Sequence, residues 1–83
     1  MSERKNIIGT VAKVFTGLVS QNRFGNVMFL EDQEGRGYVW RTQSSYAGSM
    51  VRGDRIRITA RLAPSGLDNM TALKNVRWIE KPF

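Results

Sequence analysis

The 83-residue chain contains no cysteine and no histidine. These absences exclude disulfides, zinc sites built from thiolates, and catalysis by Ser-His-Asp or Cys-His groups. No segment approaches the roughly 20 apolar residues of a membrane span, and the first residues lack the apolar run of a signal sequence. We therefore expect a protein of the cytoplasm or nucleoid that is not secreted and needs no cofactor.

Basic residues dominate the charge of the chain. Thirteen Lys and Arg stand against seven Asp and Glu, which gives a formal net charge of +6. Nine of the cations are arginine, which binds phosphate through two donors and also stacks on bases. A positive field attracts phosphate backbones regardless of their sequence, so the composition favours a polyanionic partner. A ribosomal or otherwise merely basic protein is the alternative.

Strand patterns separated by turn signals run through the whole chain. Its length allows one small domain over residues 1–83, with a single modest core. β-branched and apolar runs predict five strands, over Ile7–Val19, Val27–Leu30, Arg36–Thr42, Asp54–Leu62 and Met70–Ile79. Gly9 and Gly17 mark places where the long first strand is expected to bend or bulge. Polar, breaker-rich segments predict a loop over Ser20–Asn26 and one helical turn within Gln43–Gly53.

The predicted fourth strand has the clearest alternation. Ile56, Ile58, Ala60 and Leu62 share one face, and Arg55, Arg57, Thr59 and Arg61 share the other. One face is therefore core and the other wet and basic. Five strands, the first long and bent, fit an all-β, small closed Greek-key barrel better than a sandwich, because closure removes exposed strand edges.

The segments "FLEDQEGRGYVWRT", "VRGDRIRITARL" and "MTALKNV" together carry a resemblance to a known fold. They resemble the oligonucleotide/oligosaccharide-binding (OB) fold of single-stranded nucleic-acid-binding proteins, over roughly Ile8 to Ile79. The matching positions are Leu30, Asp32, Gly35, Trp40, Gly53 and Asp54. The resemblance implies that nucleic acid lies across the second and third strands, with bases stacked on aromatic side chains.

Two rings on the third strand are the first candidates for such stacking. Tyr38 and Trp40 share one face, and Val39 and Arg41 share the other, because side chains alternate along a strand. If Val39 fills the barrel, both rings point outward, and this is the arrangement we expect. In the alternative, both rings fill the core, and Val39 and Arg41 line the outside.

Further candidates come from the loops and the basic strand. Phe24 is expected to be exposed in the loop "NRFGN", where it would stack beside phosphate contacts from Arg23 and Arg36. Arg55, Arg57 and Arg61 form a positive stripe able to follow a phosphate backbone, and Lys74 on the fifth strand joins this set. A solvated face that keeps a small barrel soluble explains the stripe equally well.

Other short patterns have ordinary explanations. Glu31, Asp32 and Glu34 are expected to be a solvated hairpin turn, since the spacing of a calcium loop is missing. The tripeptide "RGD" at Arg52–Asp54 is expected to be a turn that leads into a strand. The final Pro82-Phe83 looks like the end of the partner-recruiting tail of bacterial single-stranded DNA-binding proteins, although packing of Phe83 on Trp78 accounts for it better.

The residues do not form a recognised catalytic pattern, so we expect no enzyme. The predicted function is binding of single-stranded nucleic acid, with DNA favoured over RNA, in replication, recombination or repair. A second copy of the chain or other replication proteins are further expected partners, because a domain this small covers little strand alone. The alternative is a small β-barrel that docks on another protein through the same aromatic surface.

Overall fold

The computed structural model describes residues 4 to 80, apart from the side chains of Ser20, Tyr46, Trp78 and Ile79. Pro82, Phe83 and the expected packing on Trp78 therefore lie outside the described residues. Five strands and one helical turn follow in the order β1 (Arg4–Ser20), β2 (Arg23–Asp32), β3 (Gly37–Thr42), α1 (Ser45–Gly48), β4 (Arg55–Pro64) and β5 (Met70–Glu80). The all-β class and the helical turn before β4 are confirmed.

The strands close into a barrel in the order β1-β2-β3-β5-β4, and β4 returns to pair with β1. β3 and β5 pair in parallel, while the other neighbours are antiparallel. β1 serves two neighbours because of its length: its first part, from Arg4 to Thr10, pairs with β4, and Gly9 to Ser20 pairs with β2. The prediction of a closed five-stranded barrel is confirmed.

Among the side chains that the structure describes, the barrel interior forms one apolar cluster to which every strand contributes. The helical turn adds Ala47, and Met50 follows it, so this segment supplies apolar side chains between β3 and β4. The predicted inward face of β4 is confirmed, since Ile56, Ile58 and Ala60 are fully buried. The buried members of the cluster are Ile7, Val11, Met28, Leu30, Tyr38, Trp40, Ala47, Met50, Ile56, Ile58, Ala60 and Leu73.

β1 changes faces at a bulge. Its register with β2 slips between Val11 and Lys13, so Ala12 is the extra residue, and a second slip follows between Leu18 and Ser20. Gly9, where we expected a bulge or bend, has another role: a Cβ there would lie 2.7 Å from the carbonyl oxygen of Glu31. Glycine therefore allows close backbone approach at that position.

The predicted loop over Ser20–Asn26 is wrong. β1 and β2 continue as a hairpin to a two-residue turn at Gln21 and Asn22, and Asn22 has a positive φ of 59°. Such a turn suits asparagine, which tolerates the left-handed region. The polar residues of this segment therefore belong to the hydrogen-bonded strands of the β1–β2 hairpin.

Two kinds of feature are missing from the described part of the chain. Residues 4 to 80 contain no helix that is long and apolar enough to cross a membrane. The same residues contain no cluster of three metal-binding side chains.

Candidate functional site

The expected outward position of Tyr38 and Trp40 is wrong, because both rings are in the barrel core. Tyr38 is 6% exposed and Trp40 is 7% exposed. Trp40 lies opposite Met28 and Tyr38 opposite Leu30 on β2, and both partners are fully buried. Large rings suit this interior, which also contains small alanines. Neither ring is available as a platform for a base.

Val39 and Arg41 instead face outward, as in the alternative considered from the sequence. Val39 is nevertheless buried, because a second apolar cluster covers it on the outside of the barrel. Its buried members are Val27, Val39 and Ala72, and Val19, Phe29, Ala63 and Met70 pack against them. This outer apolar cluster therefore runs from β1 and β2 across β3 onto β5 and the end of β4.

An aromatic pair lies on the outer side of β1 and β2. Phe15 of β1 and Phe29 of β2 meet edge to face, with ring centroids 5.6 Å apart and planes at 67°. Phe15 is 37% exposed, and Phe29 is half-buried. Edge-to-face contact fixes the rings relative to each other while leaving ring surface in solvent. We call the surface formed by Lys13, Phe15, Phe29 and Arg41 the aromatic face.

Two cations flank the rings. The Lys13 ammonium lies 5.2 Å from the centroid of Phe15, within the range of a cation–π contact. Arg41 lies opposite Val27 in the register, and its Nη2 donates a hydrogen bond to the Ser65 carbonyl at 3.3 Å. That bond joins the aromatic face to the loop between β4 and β5. Chemically, the arrangement offers flat apolar surface for a base and positive charge for its phosphate.

Beside the aromatic face, toward the hairpin tip, two paired glycines leave the backbone without side chains. Gly17 and Gly25 are directly paired across β1 and β2, next to Phe15 and Val27. A Cβ on Gly25 would meet the Thr42 carbonyl oxygen at 2.5 Å. Glycine is therefore required at position 25 because β3 approaches so closely. The glycine pair also leaves a shallow, side-chain-free surface beside the Phe15 ring.

The hairpin tip presents apolar and basic side chains to solvent. Phe24 is 68% exposed and pairs across the hairpin with the exposed Leu18, while Arg23 is also exposed. The predicted exposure of Phe24 is confirmed, although it lies on a strand and not in a loop. Since Leu18 and Phe24 neighbour the Gly17–Gly25 pair, alternation puts them on the other side of the hairpin from Phe15.

Arg36 lies in the β2–β3 turn. Its Nη2 is 3.5 Å from Glu34 Oε2, and both side chains are largely exposed. The turn itself is organised by Asp32, whose Oδ1 accepts the backbone N–H groups of Glu34 and Arg36, each at 2.9 Å. The carboxylate of Asp32 thus has a structural role in the hairpin turn expected there.

The predicted basic stripe is on a different side of the barrel. Arg55, Arg57 and Arg61 lie on the outer face of β4, and Lys74 of β5 is the register partner of Arg61. In the closed order of strands, β4 and β5 lie across the barrel from β2. These four cations therefore lie on other strands than Phe15, Phe29 and Arg41, and Arg61 and Lys74 are two residues from Ala63 and Ala72 of the outer apolar cluster.

Sequence reasoning missed all four residues of the aromatic face as site candidates. A signal was present in "KVFTG", where Lys13, Phe15 and Gly17 alternate, and in the pair Val27 and Phe29. Counting alternation from the buried Val11 would place Phe15 inside the barrel. The bulge at Ala12 reverses this parity, and nothing in the composition of β1 marks it.

Searches against protein-family models, curated proteins and solved structures found no match to this chain. The functional assignment therefore rests on the geometry and charge of the barrel.

Proposed function

We propose that this barrel binds single-stranded nucleic acid without catalysis, with the aromatic face as its main contact surface. The observation that carries the proposal is the Phe15–Phe29 pair, solvent-accessible on an outer barrel face and flanked by Lys13 and Arg41. Soluble domains usually avoid grouped exposed apolar side chains unless a ligand covers them. Stacked bases are a ligand of the right shape, since every base has a flat face.

The strand order supports an OB-like barrel. The closed five-stranded order β1-β2-β3-β5-β4 is compatible with the OB fold, a Greek-key barrel in which the face of strands 2 and 3 and the adjoining loops bind oligonucleotides. Here Phe29 and Arg41 lie on that face, and the β4–β5 loop is attached to it through Arg41 and Ser65. At the hairpin tip the exposed Arg23 provides a further phosphate contact, and the exposed Phe24, on the other side of the hairpin, offers a ring to a strand that passes the tip.

Binding combines stacking with release of counterions. One base stacks on the accessible surface of Phe15, and the half-buried Phe29 supports the ring and adds apolar contact. Lys13 and Arg41 neutralise phosphates of the same strand, which releases condensed cations and makes the affinity depend on salt. Because none of these contacts reads a base edge, sequence preference is weak.

We favour DNA over RNA as the ligand, and since stacking and phosphate contacts are common to both, competition between matched DNA and RNA oligomers tests this choice. The face is short, so one barrel covers few nucleotides. A second copy of the chain, or other proteins of replication, recombination or repair, would extend the length of strand that is covered.

The test is a titration of labelled oligo-dT against the wild type and the double variant Phe15→Leu/Phe29→Leu. Leucine keeps apolar bulk but removes the π surface, so we expect affinity to fall by about 5- to 150-fold, the worth of one stacked base. Ile56→Val is the matched control. It should cost about 0.5–1.5 kcal/mol of stability in the core and leave binding unchanged.

The rival function, docking on another protein, gives different results in the same experiment. A strand-binding face should prefer oligo-dT to the matched duplex, and the affinity should fall steeply as salt rises. Equal affinity for single strand and duplex, or no effect of the leucine pair, would overturn the proposal. Contact of the same face with a protein would tolerate leucine and respond little to salt.

A further inference from the structure

Three cations from three strands form one continuous row on the outside of the barrel. Arg4 of β1 is the register partner of Arg61 on β4, and Arg61 is the partner of Lys74 on β5. Directly opposed residues in an antiparallel pair have Cβ atoms about 4.5–5.5 Å apart. We call Arg4, Arg61 and Lys74 the basic row.

The basic row is electrostatically unfavourable by itself. Like charges placed directly opposite on a sheet destabilise it. Loss of water and then the charges of Arg77 and Arg61 lower the pKa of Arg4 below its ordinary value. Arg77 therefore adds a fourth positive charge close to the row. A fold that is stable without a partner gains nothing from this arrangement, whereas a bound anion would neutralise it.

Hydrogen bonds hold the Arg4 end of the row in place without using all of its donors. Arg4 Nη1 donates to the backbone carbonyls of Thr59 at 3.4 Å and of Asn75 at 2.5 Å. In the described part of the chain, Arg4 Nη2 and Arg61 Nε are enclosed and have no hydrogen-bond partner. Asn75, at a positive φ of 53°, lies where the register between β4 and β5 slips, and its carbonyl reaches Arg4 there.

Carboxylates of the described strands do not neutralise the row. On the outer side of β1, β4 and β5, within residues 4 to 80, the carboxylate in register is Glu80, opposite Arg57. Glu80 Oε1 lies 3.3 Å from Arg57 Nη2. The charge of Glu80 is therefore already paired with Arg57, four residues along β4 from Arg61.

We propose that the basic row is a second binding surface, which holds the sugar–phosphate backbone of a nucleic-acid segment on the outer side of β4 and β5. Arginine forks and a lysine ammonium suit phosphodiester oxygens, and contacts to phosphate do not depend on base identity or strandedness. This surface goes beyond the proposed function, because it needs no stacking and accepts duplex as well as single strands. With both surfaces occupied, one barrel bridges two nucleic-acid segments.

The first experiment measures binding of a labelled 20-base-pair duplex over a series of salt concentrations. We expect Arg61→Gln/Lys74→Gln to weaken binding and to reduce the slope of log affinity against log salt by about 2, one per lost phosphate contact. The control Arg36→Gln/Arg52→Gln removes the same charge from two loops and should reduce the slope by less than 1. Equal effects of the two variants would overturn the proposal, since net charge alone would then explain binding.

The second experiment tests bridging with oligo-dT fixed to a surface and the labelled duplex in solution. Wild-type protein should capture the duplex, and Arg61→Gln/Lys74→Gln should retain binding to oligo-dT but capture no duplex. Capture that persists in this variant would contradict a second surface at the row. If Phe15→Leu/Phe29→Leu does not affect oligo-dT while the row variant still loses duplex binding, the proposed function fails and the basic row stands.

Discussion

The Tyr38 hydroxyl donates a hydrogen bond of 3.0 Å to Asp32 Oδ2. This bond links the start of β3 to the end of β2. Partial desolvation tends to raise the pKa of Asp32, but hydrogen bonds from the Arg36 N–H, the Tyr38 hydroxyl and the Glu34 N–H together lower it. One carboxylate therefore closes the β2–β3 turn and satisfies a ring hydroxyl that packs in the core.

The lowered pKa of Asp32 predicts a loss of stability in acid. A carboxylate with a depressed folded-state pKa stabilises the fold above its ordinary pKa of about 3.9, and this contribution disappears as pH falls through the folded-state value. Asp32→Asn should therefore melt at a lower temperature than wild type at pH 7 and lose less stability between pH 4 and 2. Thermal melts across this range test it, with Asp68→Asn as the control. Parallel curves for wild type and Asp32→Asn would contradict the prediction.

Tyr38 predicts a second change at alkaline pH. Burial, and then the hydrogen bond and charge of Asp32, raise the pKa of Tyr38. The folded state thus retains the proton longer than the unfolded chain, so stability falls as pH rises above about 10, the ordinary tyrosine value. Tyr38→Phe should remove this part of the decline. If urea titrations at pH 9 to 11 show the same decline in both proteins, the proton on Tyr38 contributes nothing to stability.

Much of the barrel could be predicted from the sequence. Alternation identified the buried side of β4, and turn residues located the β2–β3 hairpin. Both signals are local, because a side-chain pattern of period two and a short polar turn depend on neighbouring residues only. Which side of β3 faces the barrel interior could not be predicted from such local signals. Val39 and Trp40 are both large and apolar, and both are buried, so alternation between them does not tell which one faces the interior.

The candidate site was harder to predict for two structural reasons. The Ala12 bulge turns Phe15 outward, and one residue of slippage exchanges every later face of the strand. The basic stripe on β4 was correct as a pattern, but its distance from the aromatic residues depends on barrel closure. Strand order around a barrel follows from long-range pairing, which a single sequence does not display.

The core position of Trp40 predicts a large effect on stability. Trp40→Ala removes a ring that is 7% exposed, and such a truncation costs about 3–5 kcal/mol. Small domains have little more than this in total, so the variant should be largely unfolded at room temperature. Trp40→Phe, which keeps an aromatic ring, should remain folded with a lower melting temperature. Circular dichroism and urea titration measure both variants, and a fully folded Trp40→Ala protein would contradict the core assignment.

The paired glycines of β1 and β2 predict responses of different size to the same substitution. In Gly25→Ala, the new Cβ would lie 2.5 Å from the Thr42 carbonyl oxygen, so backbone must move, at a cost of about 1–3 kcal/mol. In Gly17→Ala, the nearest atom is a Phe15 ring carbon at 3.3 Å, which a small ring movement can relieve. Chemical denaturation should show Gly25→Ala as clearly less stable than Gly17→Ala. Equal stability would mean that the strands do not approach as closely as described.

The basic row predicts that salt stabilises the unliganded protein. Arg4, Arg61 and Lys74 repel one another across β1, β4 and β5. Raising ionic strength from 10 to 100 mM shortens the Debye length from about 30 to about 10 Å, so the repulsion weakens and the melting temperature should rise. Arg61→Gln/Lys74→Gln should melt higher than wild type at 10 mM and respond less to added salt.

The matched control for this effect is Arg36→Gln. Arg36 is paired with Glu34 on the surface, so its removal deletes an attraction and should lower the melting temperature slightly or leave it unchanged at 10 mM. Calorimetric scans at both salt concentrations distinguish the cases. A row variant that melts below wild type at 10 mM would show that the three cations stabilise the barrel, and a site maintained for an anion would then lose its physical basis.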